Sequence, residues 1–214
     1  NIEVVLTAQE ILKKVPKVVL HDHLDGGLRA QTIIELAEDL KYEKLPTRDA
    51  GELAAWFYRG ANKGNLAEYL KGFEHTTAVM QTKEALERTA YEMLEDMKNE
   101  GVCYIESRFA PVFHTKHGLY NEDVVSAVLE GLERGKRKFG IGYGVILCGM
   151  RNMKNTLEIA ELALNFRDQG VVGFDLAGEE GGYPPRKHLE AFQFIQRANF
   201  NITIHAGEAF GKES

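Results

Sequence analysis

The stretch VVLHDHLDGGLR, residues 18–29, is a short apolar run that ends in two histidines one residue apart. Successive side chains of a β-strand point to opposite faces, so His21 and His23 share one face while Asp22 points to the other. Two glycines and a helical pattern from Arg29 follow, which places the histidine pair where a strand meets its loop. The stretch therefore predicts a buried strand with a functional site at its carboxyl end.

The same strand-then-helix pattern recurs along the rest of the chain. Alternating strands and helices indicate parallel βαβ units, which fit either an α/β barrel or a doubly wound sheet. Strands are predicted at Val18–His23, Val102–Phe109, Ile141–Cys148, Val171–Leu176 and Ile202–His205. Helices are predicted at Arg29–Leu40, Thr47–Tyr58, Leu66–Gln81, Lys83–Asn99, Asn155–Gln169 and Pro185–Ala198. Asn121 is predicted to cap a further helix that runs to about Phe139.

Composition narrows the class of protein. The 214 residues are 44% hydrophobic and 27% charged with a net charge of -6, which is typical of a globular domain and unlike a basic nucleic-acid-binding one. The apolar runs are too short for a membrane span. The sequence begins without a basic and apolar leader, so we expect no signal peptide. Cys103 and Cys148 fall within strand patterns, where we expect buried, reduced thiols. We therefore expect a cytoplasmic protein without nucleic-acid or membrane partners.

A second strand end supplies further candidate metal ligands. Two imidazoles at one strand end suit a divalent metal, most often zinc, although a hydrogen-bonded structural pair is the alternative. His205 also ends a predicted strand and can complete a three-nitrogen set that leaves a position open for water. Glu208 follows on the loop and suits a proton donor or acceptor better than a ligand, its alternative being a solvated carboxylate.

The remaining histidines are predicted not to be ligands. His114 and His117 form a rival pair, but their polar neighbours indicate an exposed loop. His75 falls within a helical pattern, and His188 lies near a helix start.

Four segments together resemble the adenosine deaminase family of the metal-dependent amidohydrolase superfamily. They are HDHLDGGLR (21–29), YIESRF (104–109), GFDLAGEE (173–180) and TIHAGE (203–208), in the order of the family. The resemblance implies a (β/α)8 barrel, which usually needs about 250 residues. We therefore expect residues 1–214 to be a single catalytic barrel domain of about five βα units, truncated at its C-terminal end.

The resemblance also implies a zinc site with one Zn2+ per subunit. His21, His23 and His205 would be three of its ligands, and Glu208 would protonate purine N1. The later histidine that orients the attacking water in the family has no counterpart in this sequence. The same holds for the Asp-Asp pair that supplies the last zinc ligand and a contact to purine N7.

The implied function is hydrolytic deamination of adenosine, and of 2′-deoxyadenosine, to inosine and ammonia in purine salvage. In that setting Gly178 would donate a backbone N–H to purine N3, Asp25 would bind the ribose 5′-hydroxyl, and His23 would also contact substrate. Relatives that act on adenine tend to carry glutamate at the position of Asp25. Adenine, a modified adenosine or a nucleotide remain alternative substrates, as do a non-catalytic nucleoside-binding protein and another hydrolase of the superfamily that cleaves an amide or ester.

The helical segment after the first strand, residues 42–81, is predicted to be an insertion that covers the substrate. Its apolar stripe resembles a gate over the pocket, although such spacing is also usual in plain core packing. The stripe consists of Leu66, Tyr69, Leu70 and Phe73. Neither the sequence nor the resemblance determines the oligomeric state.

Overall fold

A computed structural model describes residues 7–209 and 211–213 of the chain. Its five strands form one sheet in the order β1-β2-β3-β4-β5, and every neighbouring pair is parallel. A doubly wound sheet would reverse its strand order, so this unbroken order identifies part of a (β/α)8 barrel. The strands are β1 Lys17–His23, β2 Val102–Phe109, β3 Gly142–Met150, β4 Val171–Ala177 and β5 Asn201–Ile204. The helices are α1 Ala8–Lys14, α2 Ala30–Asp39, α3 Ala50–Ala61, α4 Leu66–Val79, α5 Lys83–Asn99, α6 Asn121–Phe139, α7 Thr156–Asn165 and α8 Leu189–Arg197.

The predicted and observed boundaries agree for α5, which has a capping residue at each end. The Thr82 side chain accepts a hydrogen bond from the Ala85 N–H at the start of α5. Gly101, just past the end of α5, has a φ of 78°, a left-handed conformation that favours glycine. Local capping chemistry was therefore sufficient to bound this helix.

Several predicted helices differ at their ends, and the prediction Thr47–Tyr58 is observed as Ala50–Ala61. α6 is capped by Tyr120, because Asn121 already lies in the helix. The segment Arg167–Gln169 is a separate 3-10 turn after α7. Pro185–His188 is a 3-10 turn before α8. Proline has no N–H to donate within a helix, so Pro185 fits the first position of such a turn.

The main core lies between the sheet and the helices that cover its outer face. Phe109 and Phe174, on β2 and β4, are almost wholly buried within it. The helices α5 and α6 pack closely at Gly131, where an added Cβ would lie 2.2 Å from the Glu87 carbonyl oxygen. These helices therefore cover the outer face of the sheet whose strand ends carry the site.

The two edge strands carry apolar side chains that the described residues leave open. Val18 is 57% exposed on β1, so the prediction that this strand is buried is wrong for the described part of the chain. Ile204 is 41% exposed on β5. A closed barrel has no such edges, because its first and last strands pair. The described sheet is therefore an open half-barrel. Among the described residues, no helix has the length and apolar character needed to cross a membrane.

One of the two predicted buried thiols is exposed. Cys103 is exposed, and its thiol donates to the Lys17 carbonyl oxygen on the edge strand β1. A strand pattern alone does not reveal that the neighbouring strand is an edge, so the expectation of burial was wrong here. Cys148 is buried as expected, and burial raises the pKa of its thiol well above the ordinary value.

Candidate active site at the carboxyl ends of the strands

Three histidines from opposite edges of the sheet meet in one cluster. His21 and His23 lie at the end of β1, and His205 directly follows β5. The Nε2 atoms of His21 and His23 are 3.3 Å apart, and His205 Nε2 lies 3.0 Å and 3.1 Å from them. The curvature of the half-barrel thus brings together side chains that are 184 residues apart in sequence.

The cluster fits a tetrahedral metal ion. Nitrogen ligands at about 2.0–2.1 Å from a tetrahedral zinc ion lie about 3.3 Å from one another, close to the spacing of these three atoms. Metal binding requires neutral imidazoles. Burial lowers the pKa of His23 to about 4 and also lowers that of His21, helped by the nearby positive charges. Near neutral pH both rings are therefore uncharged and can act as ligands.

A buried carboxylate on β4 orients the third histidine. Asp175 Oδ2 lies 2.8 Å from His205 Nδ1, and Asp175 Oδ1 accepts a hydrogen bond from Thr203 at 2.8 Å. Burial raises the pKa of Asp175, but the contacts with His205, Thr203 and Arg108 outweigh it and hold that pKa at about 2. A carboxylate close to Nδ1 is the usual outer partner of a histidine metal ligand, and its charge favours the ring orientation in which Nε2 points towards the cluster.

The sequence analysis gave Asp175 no role, and it missed a second buried charge beside it. Arg108 is only 4% exposed, and its Nη1 lies 3.6 Å from Asp175 Oδ2. Its Nη2 donates to the Leu20 carbonyl oxygen at 2.8 Å, and its Nη1 donates to Thr203. The guanidinium thus connects β1 with β4 and β5 below the histidines. A charged residue within an otherwise apolar strand pattern was the available signal.

A cavity of about 660 Å³ opens beside the histidine cluster. Glu208, Asp25 and Gly178 line it together with His23 and His205. Gly178 has a φ of 97°, a left-handed conformation suited to glycine, and an added Cβ would lie 2.9 Å from Met150 Cε. The structure therefore brings the predicted catalytic acid, substrate-binding acid and backbone donor to the same cavity as two of the histidines.

Asp25 is buried, and one of its oxygens has no hydrogen-bond partner among the described residues. It is 3% exposed, and its Oδ2 accepts a long 3.5 Å hydrogen bond from the Ala110 N–H. Its Oδ1 is the unpartnered atom. A buried carboxylate oxygen without a donor is costly, so this atom is suited to accept a hydrogen bond from a ligand.

The neighbour of Asp25 corrects one expectation from the sequence. His114 is fully buried, not exposed on a loop as predicted, and its Nδ1 pairs with the Met80 carbonyl oxygen at 3.0 Å. Its Nε2 lies 3.8 Å from Asp25 Oδ2. The polar sequence around His114 concealed the fact that the 3-10 turn Pro111–His114 packs inward. As predicted, His114 lies outside the three-histidine cluster.

The other three histidines also lie away from the cluster. His75 pairs with the Tyr42 hydroxyl, and His188 bridges Thr156 and the Arg151 carbonyl oxygen. His117 is exposed. None of them is near the three-histidine set in the described part of the chain.

The apolar stripe of α4 faces the cavity. The Phe73 ring packs edge-on against His23 at 6.0 Å between centroids, and the Tyr69 ring packs against Phe73 at 5.5 Å. Leu66 and Leu70 also line the cavity. Gly26 allows this close approach, because an added Cβ would lie 2.9 Å from Phe73 Cζ. The stripe is therefore placed to contact a ligand beside His23.

Comparison with known proteins identifies the family to which this chain is similar. The protein-family model described as adenosine deaminase matches residues 16–214. Adenosine deaminase 1 of Streptomyces coelicolor is 51% identical over 208 residues, which cover 95% of this chain and 52% of that protein. The chain thus spans about half the length of the curated relatives that it matches.

Solved structures agree on the fold. An amidohydrolase from Burkholderia ambifaria with bound Zn has a TM-score of 0.79 and 26% identity, covering 96% of this chain and 56% of that one. Adenine deaminase from Arthrobacter aurescens has a TM-score of 0.78 and 28% identity, covering 90% of this chain and 57% of that one. The predicted fold, part of a (β/α)8 barrel of the metal-dependent hydrolase type, is confirmed.

Proposed function

Because this chain belongs to the adenosine deaminase family, we propose that the full-length protein hydrolyses adenosine, and 2′-deoxyadenosine, to inosine and ammonia. One observation carries the proposal: His21, His23 and His205 converge within 3.3 Å of one another beside a cavity lined by Glu208. This combination supplies metal ligands and a proton-transferring acid at one reaction centre. The activity belongs to purine salvage, in the cytoplasm.

The histidine cluster would hold one Zn2+ per subunit. The spacing of its three Nε2 atoms suits zinc, and the Asp175 carboxylate lies 2.8 Å from His205 Nδ1. When bound, zinc makes hydroxide available at neutral pH by lowering the pKa of coordinated water towards about 7. The choice of zinc is supported by the bound Zn of the Burkholderia ambifaria amidohydrolase.

The other residues of the cavity bind and orient the purine. Glu208 holds the proton that reaches N1, which relieves the negative charge that builds on the ring during attack at C6. The Gly178 N–H would donate to N3, and His23 would contact the ring edge as well as the metal. The α4 stripe, including Tyr69 and Phe73, would close over the substrate and exclude water.

The choice of adenosine over adenine rests on Asp25. Its unpartnered Oδ1 offers an acceptor to the ribose 5′-hydroxyl, which a free base lacks. Adenine is the second candidate, because one of the structural neighbours is an adenine deaminase. A nucleotide would bring a phosphate towards this buried carboxylate and would be repelled.

The substrate is tested with zinc-loaded full-length protein and the ultraviolet change that accompanies purine deamination. We expect adenosine to be turned over faster than adenine and adenosine monophosphate under the same conditions. Faster turnover of adenine or of the nucleotide would keep the zinc chemistry and overturn the assigned substrate. Binding of adenosine without turnover of any purine would instead identify a non-catalytic nucleoside-binding protein.

Replacing Asp25 with asparagine tests the sugar contact. A hydrogen bond to a charged acceptor is stronger than one to a neutral acceptor, so we expect kcat/KM for adenosine to fall about tenfold. The matched control is 5′-deoxyadenosine, which lacks the hydroxyl and should lose little on the same substitution. Equal losses for both nucleosides would mean that Asp25 does not bind the 5′-hydroxyl.

A further inference from the structure

Two buried charges outside the histidine cluster join three loops at the carboxyl ends of the strands. Arg151 follows β3, and Glu180 lies in the loop after β4. Their side chains are each 1% exposed, and Arg151 Nη2 lies 4.0 Å from Glu180 Oε1. Arg151 Nη1 also donates to the Tyr183 carbonyl oxygen at 2.9 Å. A buried pair of this kind needs further hydrogen bonds to offset its desolvation, and the loop after β5 supplies them.

The Glu180 carboxylate binds the backbone on both sides of Glu208. Its Oε1 accepts from the Gly207 N–H at 2.7 Å, and its Oε2 accepts from the Ala209 N–H at 2.6 Å. Arg151 Nη2 donates to the His205 carbonyl oxygen at 2.5 Å. Both ends of the segment from residue 205 to residue 209 are therefore fixed by one ion pair, and Glu208 lies within it.

We propose that Glu180, held by Arg151, is the positioning residue that holds Glu208 at the purine. Charge-assisted hydrogen bonds in a buried setting are short and strong, so gripping both flanking amides fixes the backbone of Glu208. Gly207 permits the turn, because its φ of 82° is a left-handed conformation. The inference rests on the proposed deaminase function, and it assigns a role to the last acid of GFDLAGEE.

His205, the proposed zinc ligand in the same loop, is positioned by side chains other than Glu180. The His205 ring is held by Asp175 on β4 and, through it, by Arg108 and Thr203. Glu180 contacts this loop through the backbone N–H groups of Gly207 and Ala209, which lie beyond His205. Loss of Glu180 is therefore expected to displace the acid while the metal ligands stay in place.

The test uses Glu180→Gln in the zinc-loaded full-length protein. Glutamine offers one acceptor where the loop requires two, so one flanking amide loses its partner. A displacement of about 1 Å at a reacting group costs about 10²-fold in rate, so we expect kcat to fall by about that factor. KM for adenosine and the bound zinc should change by less than twofold. Hydrogen exchange of the peptide spanning residues 203–211 should become faster, and this measurement requires no activity.

Glu92→Gln is the matched control. Glu92 is also a largely buried glutamate in an ion pair, with Arg88, but it lies on α5 away from the cavity. We expect its substitution to leave kcat, zinc content and exchange of the residues 203–211 peptide unchanged. A similar fall in kcat for Glu92→Gln would indicate a general loss of stability and would overturn the assigned role.

The double variant Glu180→Gln/Glu208→Gln tests whether Glu180 affects kcat only by positioning Glu208. If Glu180 acts through Glu208, the double variant should be no slower than Glu208→Gln alone. A further tenfold loss, release of zinc, or an unchanged kcat in Glu180→Gln would each overturn the proposal. If the wild-type protein does not deaminate purines, the proposed function fails, while exchange at residues 203–211 still reports whether Glu180 holds the loop.

Discussion

Replacing His21 with alanine is expected to remove zinc from the full-length protein and to lower kcat/KM for adenosine by at least about 10³-fold. Metal ions contribute several kcal/mol of transition-state stabilisation, and each 1.36 kcal/mol corresponds to about tenfold in rate. His21 Nε2 lies 3.0 Å from His205 Nε2 and 3.3 Å from His23 Nε2. Its loss leaves two nitrogens from this chain, too few for the three-nitrogen set.

The fall in kcat/KM of His21→Ala must be shown to result from loss of zinc and not from loss of folded protein. His21 is exposed at the strand end, so its truncation removes little core packing. Zinc content after dialysis, measured by mass spectrometry, and the melting temperature of the zinc-free proteins separate the two causes. We expect the zinc-free variant and the zinc-free wild type to melt at similar temperatures.

His117→Ala is the matched control for His21→Ala. His117 is exposed and lies outside the cluster, so its removal should change neither zinc content nor kcat/KM. Retention of one equivalent of zinc by His21→Ala would contradict the ligand assignment. Loss of activity with zinc still bound would give His21 a role in contacting substrate instead.

The strand ends of this fold could be predicted from sequence because they combine local signals. An apolar run followed by His21-x-His23 states both where β1 stops and which face its histidines share. His205 repeats the signal at β5, and parallel strands place their carboxyl ends at one edge of the sheet. Periodicity and topology together were therefore sufficient to predict the cluster of three histidines.

The supporting charges could not be predicted, because their partners lie on other strands and loops. Asp175 faces His205, and Arg108 reaches the Leu20 carbonyl oxygen across the sheet. The sequence shows only that a charge occurs in an apolar strand. Which residue neutralises that charge depends on strand register and sheet curvature, and neither can be read from local spacing.

The errors at His114 and Cys103 have a related origin. Burial was inferred from the polarity of neighbouring residues, yet the 3-10 turn Pro111–His114 carries His114 inward beneath Asp25. Cys103 has apolar neighbours but lies beside an edge strand. Burial of a single side chain follows from tertiary packing, so local composition predicted it poorly at these two positions.

Glu208→Gln is expected to lose most turnover, as His21→Ala does, but to keep its full zinc content. Glutamine has nearly the same size but cannot give a proton to N1. General acid catalysis contributes about 10²- to 10⁴-fold, so we expect kcat to fall within that range while KM for adenosine stays close to the wild-type value. The measurement is steady-state deamination of adenosine over a range of pH, with zinc content determined on the same samples.

The matched control for this variant is Glu161→Gln, an exposed glutamate on the outer helix α7, which should leave all of these values unchanged. The pH–rate profile gives the sharper test. If Glu208 carries the proton, the limb of the kcat profile that reports its protonation disappears in Glu208→Gln. Normal turnover with an unchanged profile would mean that N1 is protonated by another group. The ion pair of Glu180 with Arg151 would then stabilise the loop without serving catalysis.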